Sequence, residues 1–245
     1  MTAPFPTNRQ EEWRYADLDS LRPVWEQFAE PVTLTVGAGE EFEEIWLPVA
    51  SDVQLRRVQL ALGSRSKARI FALNTASVYG RIELEVSLEQ GAEFELFGAN
   101  IGSGLSTTEI VTNVKHIGVG ARSRQVVRSV LNGKATGSYL GKIEVARGAQ
   151  ATDAEQSVKA MLLDRGATAN CKPELEIFAD DVKCAHGASI GELDPMQLFY
   201  AESRGLDPAS ARALLLEGFV MGLWDSAKAP DAISAAAREA LQRVV

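Results

Sequence analysis

The dipeptide Gly-Ala recurs through the middle of the chain, at Gly91-Ala92, Gly120-Ala121, Gly148-Ala149, Gly166-Ala167 and Gly187-Ala188, each copy set between one strand-like run and the next. Seven such pairs occur in the whole sequence, against roughly three expected from composition. Their spacing drifts between 18 and 29 residues, which marks a degenerate repeat. A repeat of this length, holding two or three short strands turned at glycine corners, predicts a coil-by-coil stack in which every rung pairs with its neighbours. The clearest strand is Arg81 to Glu89, where Ile82, Leu84, Val86 and Leu88 alternate with Arg81, Glu83, Glu85 and Ser87. Period-two alternation belongs to a half-buried strand. A two-sheet sandwich also shows many short strands, but the glycine corners favour a β-solenoid.

The flanks have a different texture. Residues Glu11 to Glu30 read as a short helix with Trp13, Leu18, Leu21, Trp25 and Phe28 on an apolar stripe interrupted by Pro23. After the β region, Asp194-Pro195 and Asp207-Pro208 each set a capping acid before a first-turn proline, and Gly205 supplies a stop. Helices are predicted over Pro195–Arg204, Pro208–Asp225 and Asp231–Val245, with Leu198, Phe199, Leu214, Leu215, Phe219 and Leu223 buried. The fold class is therefore mainly β: an N-terminal helical segment over 1–31, a β-solenoid core over 32–193 and a C-terminal helical subdomain over 194–245.

Several function classes fall away. A net charge of -8 argues against a surface that tracks nucleic-acid phosphates. The N-terminal MTAPFPTNRQEEWRYADL lacks the basic start and apolar core of a secretion signal, and no apolar run reaches membrane-spanning length. A cytoplasmic protein with two free thiols, Cys171 and Cys184, is expected. No Walker A loop is present, since Gly133-Lys134 and Gly141-Lys142 lack the glycine spacing and the hydroxyl that follows, and G-x-S-x-G, H-E-x-x-H and C-x-x-C are also missing.

The rare residues gather in Lys172–Asp194, KPELEIFADDVKCAHGASIGELD, which holds one of two cysteines and one of two histidines. Val182, Cys184 and His186 are two apart, so on a strand they share a face while Lys183 points away. A buried cysteine and a hydrogen-bonded histidine are the default for such a pair. Its position on the last rung adds a functional reading, because a terminal strand leaves N–H and C=O groups for a partner to pair. Cys171, Cys184, His116 and His186 are the only soft ligands in the chain. A stable iron–sulfur or structural zinc centre wants four, and the convergence of all four of these would be fortuitous, so a metal site here is expected to borrow ligands from a partner. Glu174 and Glu176, alternating with Leu175 and Ile177, read as a solvated strand face.

This run, continued by LFYAESRGLDPASARALLLEGF, resembles the C-terminal signature of the SufB/SufD family of iron–sulfur cluster assembly proteins, in wording closer to its D than its B branch. The likeness runs from about Asp164 to Phe219, and EEWRYADL resembles the family's opening helix. It implies a right-handed parallel β-helix and a non-enzymatic subunit of an assembly with a SufB-like paralogue and a SufC-like ATPase. Cys184 and His186 correspond to the family's pair at the B/D interface, where transient iron or a nascent cluster is handled, with no cofactor stably bound by the isolated chain. The helices over Pro195–Asp225 correspond to the ATPase docking surface, here with Leu198, Phe199, Arg204, Gly205, Ala211, Leu215 and Phe219. Neither nucleic acid nor membrane is an expected partner, and a homodimer through the last rung is expected when the paralogue is absent. The resemblance also implies a shortened N-terminus and gives Cys171 no inherited role. Two other readings stand beside it: a β-solenoid adaptor without a metal role, and a β-helix enzyme of the lyase or acyltransferase kind.

Overall fold

The computed structural model describes residues 4–245. Twelve strands follow one another in the chain: β1 Val32–Val36, β2 Glu41–Trp46, β3 Val53–Leu62, β4 Lys67–Asn74, β5 Tyr79–Leu88, β6 Glu93–Gly102, β7 Thr107–His116, β8 Arg122–Leu131, β9 Thr136–Val145, β10 Thr152–Leu162, β11 Thr168–Ile177 and β12 Val182–Gly191. Odd strands form one six-stranded sheet and even strands a second, and each strand pairs in parallel with the strand two ahead. This is a parallel β-solenoid of six coils, two strands to the coil. The rung length grows along it: Val53 pairs with Tyr79, 26 positions on, whereas Thr136 pairs with Thr168, 32 positions on. That drift is why the repeat is degenerate in sequence.

Four of the five Gly-Ala steps singled out in the sequence lie at corners, where the alanine methyl faces inward: Ala92, Ala121 and Ala149 are wholly buried and Ala167 nearly so. Gly91 and Gly120 adopt φ of 67° and 70°, a conformation that costs a side-chain-bearing residue about 1 kcal/mol or more. Gly187-Ala188 is different, for it lies inside β12 and makes no corner.

The inner faces of both sheets meet in one core. On the odd sheet, Leu60, Val86, Val114, Ile143 and Leu175 stack in register; on the even sheet, Ile70 stacks on Leu96. The outer face of β4, β6 and β8 is buried as well toward the strand ends, so these segments read as unbroken apolar runs such as Ile70-Phe71-Ala72-Leu73. Phe71, Phe97, Val126 and Val130 pack there against Leu216, Val220, Trp224, Ile233 and Leu241 of the C-terminal subdomain.

That subdomain holds α3 Pro195–Ser203, α4 Pro208–Val220 and α5 Asp231–Gln242; they follow α1 Leu18–Leu21 and α2 Trp25–Phe28 in the chain. The caps form as the sequence predicts: Asp194 accepts from the Met196 N–H at 2.8 Å, and Asp207 from those of Ala209 and Ser210 at 3.1 and 3.0 Å. Gly205, at φ 96°, turns the chain between α3 and α4. The buried stripe differs from expectation. Leu223 is buried as predicted, and Leu216, Val220 and Trp224 face the sheet with it, while Phe199 and Leu214 are exposed and Leu198, Leu215 and Phe219 are half-buried. The apolar residues of α3 and α4 exceed one face, and the sheet selects which of them it covers.

The N-terminal segment is also not the single helix its stripe suggests. It is a chain of short turns, 3-10 at Glu11–Trp13 and Arg22–Val24 with α1 and α2 between and after, broken at Asp17 and Pro23. Tertiary contact holds it together: Trp13 and Trp25 meet edge to face at 5.7 Å over Leu55 and Tyr79. No helix among the described residues is long and apolar enough to cross a membrane.

Candidate functional site

The solenoid ends at β11 and β12. Among the described residues β11 pairs only with β9 and β12 only with β10, so the outer edge of each strand carries unpaired backbone groups. Inward positions on β12 are Val182, Cys184, His186, Ala188 and Ile190, stacked on Thr152, Ala154, Gln156, Val158 and Ala160 of β10. Inward positions on β11 include Cys171, Pro173 and Leu175, stacked on Tyr139, Gly141 and Ile143 of β9. With no seventh coil above them among the described residues, these inward side chains line an end face. Ile177, Phe178 and Ile190 stand exposed at its rim.

Cys184 and His186 therefore share one face, as their spacing requires, but differ in burial. Cys184 is half-buried against the core, and His186 is exposed with no side-chain hydrogen bond among the described residues. The expected buried, hydrogen-bonded histidine is thus replaced by a free imidazole, because facing inward buries a residue only where another coil follows. Burial, with the Asp153 carboxylate adding to it, pushes the Cys184 thiol up from its ordinary value. The resting group is the protonated thiol, which must lose its proton before it can act as a nucleophile or a ligand.

Cys171, left without a role by the sequence, faces inward on the neighbouring edge strand and is half-buried against the same core. Burial raises its thiol too. Both cysteines are free. His116 is elsewhere: it lies wholly buried at the end of β7, stacked between Leu88 and Val145, with Nε2 2.9 Å from Ser123 Oγ. Among the described residues no group of three or more His, Cys, Asp or Glu is arranged to hold a metal ion. Glu174 and Glu176 face outward beside Lys172 and Lys142 in ion pairs, a solvated strand face as expected.

Burial pushes the His116 pKa down from 6.5 to about 4. The unfolded chain takes up this proton first as pH falls, so the folded state loses stability between about pH 6.5 and pH 4 and none further below. The loss attributable to His116 is about 3 kcal/mol across that window. Urea unfolding at stepped pH checks it: His116→Leu should flatten the slope there, and an unchanged slope would exclude His116 as the cause.

The second surface is the α3–α4 hairpin. Met196, Tyr200, Leu206, Leu214 and Leu215 line an apolar groove of about 430 Å³, with Arg204 at its side. Arg204 donates to Tyr200 Oη at 2.9 Å and lies over the same ring. Phe199 is exposed beside it, but Ala211 is wholly buried and Phe219 packs toward the sheet beneath Arg128. The sequence reading missed Met196, Tyr200 and Leu206, because helical periodicity does not say which apolar face a sheet leaves uncovered.

A parallel β-solenoid left open at one end, with thiols and an imidazole on that end face and a helical platform on its flank, defines the structural class. Residues 45–219 match the family model described as SUF system FeS cluster assembly, SufBD core domain. The chain is 30% identical over 167 residues to an iron–sulfur cluster assembly SufBD family protein of Synechocystis, covering 68% of this chain and 37% of that one. It is 36% identical over 104 residues to iron–sulfur cluster assembly protein SufD of Escherichia coli, covering 42% and 25%. To SufD of Bacillus subtilis it is 28% identical over 164 residues, covering 67% and 36%. The chain belongs to the SufBD core family and is of its SufD type. It spans between a quarter and somewhat over a third of the length of these relatives.

Proposed function

We infer that this chain is a non-enzymatic, cytoplasmic subunit of an iron–sulfur cluster assembly complex. Its solenoid pairs end to end with a SufB-like paralogue through β11 and β12, and a SufC-like ATPase docks on the α3–α4 hairpin. Iron or the forming cluster is cargo handled at the solenoid junction by Cys184 and His186. The observation that carries this reading is the placement of both residues on the inner side of a strand that, among the described residues, has no strand beyond it. A partner's edge strand would satisfy the unpaired backbone there and bring the further ligands that one imidazole and one thiol lack. The ATPase contact draws support from the apolar groove and from exposed Phe199, Met196 and Tyr200.

Co-expression with the two partners, followed by size-exclusion chromatography and iron and sulfide analysis, tests the proposal. The expected result is a ternary complex whose cluster yield falls at least tenfold with Cys184→Ala or His186→Ala while complex formation is retained. Wild-type yield from both variants would instead support an adaptor without a metal role. A chain that never associates with the paralogue would overturn the proposal. Expressed alone, it should form a homodimer through the same face.

A further inference from the structure

The interior of the solenoid changes character toward its open end. One inward ladder on the even sheet runs Ile70, Leu96, Gln125, Gln156, His186, from β4 to β12. The ladder on the odd sheet that contributes Thr112 runs Val58, Leu84, Thr112, Gly141, Pro173. Both are apolar in the early coils; the even-sheet ladder is polar from Gln125 onward, while the odd-sheet ladder turns polar at Thr112 and loses its side chain at Gly141 before ending on Pro173. Gln125 and Gln156 are at most 1% exposed. Burying an amide costs roughly 1–3 kcal/mol unless its hydrogen bonds are made, so aliphatic residues would serve the core better here.

The polar groups form a connected column. Thr112 Oγ1 donates to Gln125 Oε1 at 2.6 Å, Tyr139 Oη donates to the same oxygen at 3.0 Å, and Gln156 Nε2 donates to Tyr139 Oη at 3.2 Å. Gly141 makes room for it: a Cβ there would lie 2.2 Å from Tyr139 Oη. The column stops one rung below the end face, at Gln156 Oε1, a buried acceptor without a donor, while one rung further in Gln125 Nε2 is a buried donor without an acceptor. Gln156 has Gln125 on one side of its ladder and His186 on the other. On β12 the other inward residues are Val182, Cys184, Ala188 and Ile190, so His186 is the one strong side-chain donor in that direction.

We propose that Gln156 is a positioning residue for His186: once a partner covers the end face, one imidazole N–H donates to Gln156 Oε1, and the column fixes the ring's tautomer. The opposite nitrogen then presents its lone pair to the junction, as it does in ligating histidines whose other ring N–H donates to a fixed acceptor. In the open chain the imidazole is solvated and makes no such bond; covering the face removes the competing water. The inference rests on the end-face reading above and adds to it the group that sets the ring.

The test uses the assembled complex with only this chain's histidines labelled with 15N, sedimented for magic-angle-spinning spectra near pH 8.5. Two histidines, His116 and His186, keep the spectrum simple. In the wild-type complex His186 should appear as a single neutral tautomer. With Gln156→Leu or Gln156→Met, neither of which offers a strong acceptor, it should become a mixture, and cluster yield should fall about tenfold or more. Gln156→Glu, which keeps an acceptor, should retain the single tautomer. If the complex forms and depends on His186 but the tautomer is the same in wild type, Gln156→Leu and Gln156→Met, this inference is wrong and Gln156 Oε1 belongs to the Gln125 amide. If the complex does not form, or His186→Ala leaves cluster yield unchanged, the end-face reading itself has failed.

Discussion

Arg81→Met should cost about 3–5 kcal/mol of unfolding free energy, the range for breaking a buried ion pair from one side. The guanidinium is wholly buried, with Nη1 3.1 Å from Glu109 Oε2 and Nη2 2.9 Å from Glu83 Oε2. Nη2 also donates to the Glu12 carbonyl at 2.8 Å, and the Trp13 ring lies 3.7 Å from the guanidinium carbon. Burial alone would lower the Arg81 pKa, but the carboxylates of Glu109 and Glu83 outweigh it and hold the charge. Removing Arg81 strands Glu109, which is also wholly buried, with Tyr79 Oη as its remaining donor at 2.6 Å. Burial first, and Glu109 second, keep that phenol protonated. Urea unfolding followed by tryptophan fluorescence measures the cost. Adding Glu109→Gln to Arg81→Met should restore most of it, since no charge is then left buried. A double variant no more stable than the single one would show that Arg81 acts by packing under Trp13 and not by pairing Glu109.

Trp224→Ala should cost a similar amount, about 3–5 kcal/mol, for a large buried aromatic truncated in a core. Trp224 is wholly buried between the outer face of the even sheet and the helices, and its Nε1 donates to the Phe97 carbonyl at 3.4 Å. The cavity would open at the seam between solenoid and subdomain. Hydrogen exchange should therefore speed up first in α4 and α5 while β7 and β9 keep their protection. Uniform loss of protection over the whole chain would mean that helices and solenoid unfold as one unit. Because α3 and α4 carry the proposed ATPase surface, the same substitution should weaken ATPase capture more than pairing at the solenoid end.

The solenoid was legible because glycine corners and period-two alternation are local properties: Gly91 and Gly120 need their φ whatever surrounds them, and Ile82 through Leu88 can bury only one side. Helix starts were equally legible, since Asp194 and Asp207 act on N–H groups two or three residues away. Arg81 shows where this ends. Alternation assigns it to the outer face, which is correct, but that face is buried by a segment some seventy positions earlier in the chain. Residues distant in sequence set its environment, so no local pattern carries the signal. The same holds for Phe199 and Leu216, which look alike on a helical wheel until the sheet covers one of them.

The candidate site divides the same way. By itself the sequence determined that Cys184 and His186 share a face, because strand parity depends only on their spacing. It also determined that this chain holds four soft ligands in all, so a complete cluster site within it would need every one of them to converge. Only the tertiary structure decided that His186 is exposed on that last rung while Cys184 is half-buried, that Cys171 joins them from the neighbouring sheet, and that Gln156 and Tyr139 lie below. Those relations link positions about thirty residues apart through rung-on-rung register. Register is set by the lengths of all the corners between, so it exists only once the coils have stacked.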